Sequence, residues 1–293
     1  MISPALGEPA RSLSELKDIS WRLSRQIIQM TTRAGSGHPS SSLSAIDILT
    51  ALYCGAVLRF DPQQPGWPER DRFILSKGHA APALYAILAE AGFFDAKILP
   101  TLRQIGSPAE GHPNMRRLPG VEASTGSLGQ GLSIGLGHAL AARIDGRDYR
   151  VYVMIGDGES DEGQIWEAAM AAAKFRTSNL TAILDYNRYQ QTGPVGEVMP
   201  SLEPIVEKWQ AFGWQTREID GHDLQAILDA LAAACRVAGR PQMIVAHTKK
   251  GKGLSPFEKD PTSHKHGVPL KPDEERVALA ELDAMYGKTG QEG

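Results

Sequence analysis

The chain of 293 residues holds only two cysteines, Cys54 and Cys235, so a disulfide framework is excluded. Each lies in an apolar, helix-like stretch, which predicts two buried thiols in a reducing compartment. No run approaches the roughly 18 apolar residues of a membrane span, and no basic segment leads into an apolar core near Met1. A cytoplasmic protein without a membrane partner is expected. Charge of one sign is also lacking, since 31 Lys and Arg against 34 Asp and Glu leave −3. That balance argues against nucleic acid as a partner, which calls for a basic domain or stripe. The densest basic run, Lys249, Lys250 and Lys252, is short and glycine-punctuated, as in a phosphate-facing loop. There is no internal repeat, low-complexity tract or linker. The expectation is one domain over 12–293 after a tail of 1–11.

What is present is an alternation of two patterns. Ser12 and Glu15 have the spacing of a capping box. Leu16, Ile19, Leu23, Ile27 and Met30 then recur at helical spacing, predicting about five turns that break at Gly35. A second helix is predicted from Leu43 to Leu58, ending before Asp61-Pro62. Short apolar runs follow at Arg72–Leu75, Arg150–Ile155, Leu180–Leu184, Trp214–Ile219 and Gln242–Ala246. Between them lie helix-like segments at Gly129–Ile144, Gly163–Phe175, Glu203–Phe212 and Asp223–Ala238. Strands separated by helices predict an α/β fold, a parallel sheet flanked by helices, with ligands at the carboxyl ends of the strands. Two long irregular stretches, Gly106–Gly126 and Thr248–Pro272, are of the kind that carries function.

The chemistry concentrates in loops. Val153–Ile155 runs into Gly156-Asp157-Gly158, ahead of a helix starting near Glu162. Glycines let a ligand approach the backbone, and a helix start offers free N–H groups to an anion. The carboxylate between them makes sense if a divalent cation accompanies that anion. Asn187 stands at the end of the next strand, so Asp157, Asn187 and a loop carbonyl form a hard-cation donor set suited to Mg²⁺. Five of the eight histidines also lie in loops: His38, His79, His112, His264 and His266. A single loop histidine is ordinarily a solvated residue, and none of these has zinc-site spacing. His138, inside a small-residue helix, reads as structural. Five imidazoles converging on one sheet edge would instead handle protons and contact an oxyanion.

Together these segments resemble the diphosphate-binding half of the transketolase family. The pattern Gly156-Asp157-Gly158 … Asn187 is similar to its thiamine-diphosphate motif. The loops GSGHP, SKGHA, GHP and TGSLGQG follow in the family's order, and the resemblance covers about Leu16 to Leu270. It implies a thiamine-diphosphate-binding domain in which Asp157, Asn187 and the Tyr189 carbonyl hold Mg²⁺, with Ca²⁺ or Mn²⁺ as substitutes. Gly156, Gly158 and His79 would meet the diphosphate, and Gly126 and Leu128 the aminopyrimidine. His38, His79, His112 and a histidine of the SHKHG loop, His264 or His266, would surround substrate hydroxyls. Glu162 and Glu167 match carboxylates near the family's subunit interface. The implied reaction moves a two-carbon ketol unit from a ketose, such as a ketose phosphate, to an aldose.

In the family, the glutamate that activates the aminopyrimidine lies in a following domain, and no residue of this chain matches it. The resemblance therefore implies the N-terminal subunit of a split transketolase. Its partner would be a separate C-terminal subunit carrying the pyrimidine-binding domain, with two copies of each chain assembled together. The nearest rival is the alpha subunit of a 2-oxoacid dehydrogenase first component, which lacks the GSGHP, SKGHA and TGSLGQG set. A non-catalytic regulatory paralogue would be expected to have lost Asp157 or Asn187, and both are present.

Overall fold

The computed structural model describes residues 11–260 and 262–288. The proposed tail therefore lies outside the described residues except for Arg11. Helix α1 (Leu13–Ala34) opens with the expected capping box: Ser12 Oγ accepts from the Glu15 amide, and Glu15 accepts from Ser12 N at 2.7 Å. It ends at Gly35, whose left-handed φ of 58° closes the last turn. Helix α2 is Pro39–Cys54, four residues earlier at each end than the apolar pattern predicts. Its start is set by Pro39, which has no N–H to leave unsatisfied. Its first turn is a run of buried serines, which an apolar count passes over.

The sheet strands are β1 (Arg72–Leu75), β2 (Val151–Gly156) and β3 (Leu180–Tyr186). A short hairpin follows, β4 (Tyr189–Gln190) with β5 (Gly193–Pro194), then β6 (Gln215–Asp220) and β7 (Gln242–His247). The main sheet runs β1-β2-β3-β7-β6, all parallel, as the alternation requires. The intervening helices are α3 (Ala81–Glu90), α4 (Gln130–Ile144), α5 (Gly163–Lys174), α6 (Val195–Val198), α7 (Ile205–Ala211) and α8 (Leu224–Arg236). After the sheet come α9 (Ser255–Glu258) and α10 (Pro272–Met285). Gly106–Gly126 holds no helix or strand, as expected, whereas α9 interrupts the second predicted loop.

Successive strand residues face opposite sides, and this divides the core in two. Tyr152, Met154, Ile183 and Ile244 join α1, α2, α3 and α8 on one face. Val151, Val153, Leu184 and Val245 join α4, α5 and α7 on the other. Strand β6 is an edge of mostly exposed polar residues, so its Trp214–Ile219 reading as an apolar run holds only for Trp214 and Ile219. Cys54 is buried, but Cys235 is exposed on α8, which corrects the expectation of two buried thiols. The helix buries its Ile227, Ala230, Leu231 and Ala234 stripe, leaving position 235 on the outer side.

Helix α4 lies close to the sheet because of its glycines. A Cβ at Gly131 would stand 2.4 Å from Ser76 Cβ, and Gly129 starts the helix at φ 83°. This packing brings the loop before α4 against the ends of β1 and β2.

Candidate active site

Because the sheet is parallel, the loops after β1, β2, β3 and β7 all emerge at its carboxyl edge. A cavity of about 420 Å³ opens there. It is lined by His38, His79, His112, Gly126, Leu128, Gly156, Asp157, Gly158, Asn187, Tyr189 and His266. The loops that carry these residues are spread over most of the sequence and meet only through the sheet.

The register pairs Gly156 with Asp185, which sets Asp157 beside the segment leading to Asn187. The Asp157 carboxylate is buried and accepts from Gly158 N at 2.8 Å and Arg188 N at 2.5 Å. Its pKa is nevertheless pushed up to about 7, first by burial and then by the nearby Asp185 charge. The neighbouring ammonium, Lys77, is committed to Asp185 and to Ser41 O at 3.0 Å. Asn187 Oδ1 accepts from Tyr189 N at 3.1 Å, and Arg188 between them adopts φ 66°.

A metal-bound diphosphate fits this donor set. Asp157 is a buried carboxylate that forms no ion pair among the described residues, and Asn187 adds a neutral oxygen. Among the described residues, no three His, Cys, Asp or Glu side chains converge into a metal cage. A hard cation here would therefore take an amide oxygen, a carbonyl and ligand oxygens beside Asp157. At Gly158 a Cβ would come within 2.5 Å of Gln190 Cβ, so the turn admits only glycine without displacement. Two buried polar atoms at the cavity, His38 Nδ1 and Gln190 Oε1, have no partner among the described residues. Such atoms are costly to leave unpaired, which marks the cavity as built around a polar ligand.

His38, His79 and His266 form a near-equilateral cluster, with ring centroids 5.1, 5.2 and 5.1 Å apart. Burial holds His38 down at about 4, with Arg103 adding to the effect. Burial lowers His266 to about 3, with the Lys250 charge second. His79 is likewise driven well down by burial and by Lys77, and His112 is lowered by burial and Arg103. All four are therefore neutral near pH 7, each with one donor and one acceptor nitrogen. Lys250 Nζ lies 2.9 Å from His266 Nδ1 and donates to it, leaving the ring proton on Nε2.

Three predicted site residues are not brought to the cavity. His264 is exposed and turned to Thr262 Oγ1 at 2.9 Å, so the SHKHG loop supplies His266 alone. Glu162 and Glu167 are exposed at the start and middle of α5, outside the cavity. Conversely, the sequence reading gave no role to Lys77, Ser41, Glu159 or Gln190, all of which line it. Glu159 accepts from Gly129 N at 2.9 Å, Gly156 N at 3.0 Å and Ser76 Oγ, joining three site loops. The available signal was the charged side chain inside SKGHA and GDGE, where a turn alone needs none.

A parallel sheet with a Gly-Asp-Gly turn, a neighbouring Asn and a cluster of half-buried neutral histidines at its carboxyl edge defines a diphosphate-binding α/β domain. The family model described as transketolase, thiamine diphosphate binding domain, matches residues 22–288. The chain belongs to the transketolase family, and its cofactor is thiamine diphosphate. It is 47% identical over 251 residues to the 6-deoxy-6-sulfo-D-fructose transketolase subunit SqwG of a Clostridium species, covering 86% of this chain and 90% of that one. It is 40% identical over 268 residues to an apulose-4-phosphate transketolase subunit of Phocaeicola vulgatus, covering 92% and 94%. A crystal structure of a transketolase mutant from Pichia stipitis superposes with TM-score 0.86 at 31% identity, over 96% of this chain. The chain spans 42% of the length of that solved transketolase. Among the described residues, no helix is long and apolar enough to cross a membrane.

Proposed function

We propose that this chain is the diphosphate-binding subunit of a two-chain transketolase of the cytoplasm, with Mg²⁺ as its cation. It would transfer a two-carbon ketol unit from a ketose, such as a ketose phosphate, to an aldose. The observation that carries the reading is the cavity in which Asp157 and Asn187 stand beside the His38, His79 and His266 cluster. Two relatives of nearly its own length are named as transketolase subunits, which supports a separate partner. That partner would carry the pyrimidine-binding domain, in an assembly of two copies of each chain.

Asp157, Asn187 and the Tyr189 carbonyl would hold the cation, which in turn holds the diphosphate. Gly156, Gly158 and His79 would face the diphosphate, and Gly126 and Leu128 the aminopyrimidine. When bound, the cofactor supplies the nucleophilic carbon that cleaves and reforms the bond next to a ketose carbonyl. The protein supplies binding and proton handling. Neutral His38 and His112 would accept protons from substrate hydroxyls and return them, while His266, whose Nδ1 is taken by Lys250, would offer its Nε2–H to developing alkoxides. Glu162 and Glu167, exposed here, would be covered in the assembly and link its paired sites.

The test is two-carbon transfer from a ketose to an aldose with Mg²⁺ and thiamine diphosphate, run on this chain alone and with a candidate pyrimidine-domain chain. Turnover only in the mixture is expected. Turnover by the chain alone would place the activating glutamate here and sink the two-chain reading.

A further inference from the structure

The Lys249–Lys252 loop also meets a polar cluster that lines no part of the cavity and that the proposed chemistry does not use. Its centre is Asp47 of α2, only 2% exposed. The Asp47 carboxylate takes His222 Nδ1 at 2.7 Å, Lys252 Nζ at 2.5 Å and the Ser20 hydroxyl. On its other side the His222 ring meets the backbone: Lys249 N lies 2.8 Å from His222 Nε2 and donates to it.

These contacts determine the state of the ring. Nε2 accepts, so it carries no proton, and the proton on Nδ1 points to Asp47. The imidazole is a neutral bridge between a buried carboxylate and one amide of the loop. The next residue is Lys250. Its side chain takes other partners than that of Lys252: Ser263 Oγ at 2.6 Å and His266 Nδ1 at 2.9 Å. His222 and Lys252 thus tie the loop to Asp47 while Lys250 orients His266. The loop has one further backbone tie to the α2 start, from Gly251 N to Ser40 O at 2.9 Å.

We propose that His222 is a positioning residue for the Lys250–His266 pair, acting through the Lys249 amide. Asp47 orients the ring, and the ring sets where the loop presents Lys250. The proposal rests on the thiamine-diphosphate reading only for its kinetic consequence.

Three measurements test it. In the unaltered full chain, imidazole ¹⁵N resonances at neutral pH should show His222 protonated on Nδ1 alone; an Nε2–H or doubly protonated ring overturns the proposal. In His222→Ala, trypsin should cut after Lys249, Lys250 or Lys252 roughly tenfold faster, the size of about one lost hydrogen bond, with other sites cut at the original rate. Unchanged loop cleavage overturns it, and so does faster cleavage throughout, which would mean that His222 supports the whole fold. In the active two-chain enzyme, His222→Ala should lower kcat roughly tenfold with the half-saturating thiamine diphosphate concentration nearly kept, because the displaced His266 faces substrate and not cofactor. An unchanged kcat overturns the coupling. If no such enzyme exists, the function reading fails while the first two measurements still decide the positioning role.

Discussion

Lys77 and Asp185 form a fully buried ion pair between the end of β1 and the end of β3, with side-chain exposures of 2% and 0%. Asp185 also accepts from Ser44 Oγ at 2.5 Å and from the Thr248 hydroxyl, so the pair ties α2 and the loop after β7 to the sheet edge. Buried charge is expensive, and both ions are stable here only because each has the other and further hydrogen bonds. Asp185 stays below its usual range: burial would raise it, but the Lys77 charge and hydrogen bond outweigh that.

Lys77→Met leaves Asp185 uncompensated and should cost about 3–5 kcal/mol, measured as a shift of the urea midpoint. Lys77→Met combined with Asp185→Leu removes both charges and should recover much of the loss. A single-variant cost near zero would mean that water or an ion reaches Asp185.

A second prediction concerns Asp157. In the intact chain, Mg²⁺ with thiamine diphosphate at about 100 times its Kd should stabilise the fold by roughly 2.7 kcal/mol. Asp157→Ala should abolish that gain, and chelation should abolish it in the original chain. The readout is Tm with and without both ligands, so turnover is not required. An unchanged ligand-induced rise in the variant would remove Asp157 from the cation site.

Acid should loosen the fold by a definite route. His38 is lowered from 6.5 to about 4, so between those values the unfolded chain binds a proton that the folded chain refuses. Stability therefore falls as pH drops from about 6.5 to about 4. Asp47, at about 2, extends the loss below pH 4: burial would raise it, but His222 and Lys252 hold it down. His38→Asn should reduce the slope of the first part of the stability–pH curve without abolishing it, since His79, His112 and His266 are lowered as well, and leave the second. Urea midpoints at pH 7, 5, 4 and 3 check this, and identical slopes in both proteins between pH 7 and 4 would contradict it.

These sites were unequally visible in the sequence. The strands and most helices follow from apolar periodicity, and Asp157 and Asn187 follow from strand ends that parallel pairing must bring to one edge. His264 and His266 share a loop and a spacing pattern, and only the fold decides that His266 faces inward. The start of α2 lies in a serine run whose burial depends on α1, α3 and the loop carrying His266 packing around it. Lys77 and Glu159 were overlooked for a related reason: their roles depend on partners 108 and 83 residues away. Local pattern carries no signal for such pairings.

The last prediction turns on Glu159. Its carboxylate spans Gly129 N at the start of α4 and Gly156 N at the end of β2, and takes the Ser76 hydroxyl as well. In Glu159→Ala both amides lose their acceptor inside the protein, at about 1–3 kcal/mol for each orphaned group. Glu159→Gln keeps one carbonyl oxygen, so it should serve one amide and lose roughly half as much. Hydrogen exchange separates local from global effects: the amides of Gly129 and Gly156 should lose protection by more than the change in global stability. If they exchange no faster than core strand amides such as Val153, Glu159 does not hold the loop before α4 against the Gly156 turn.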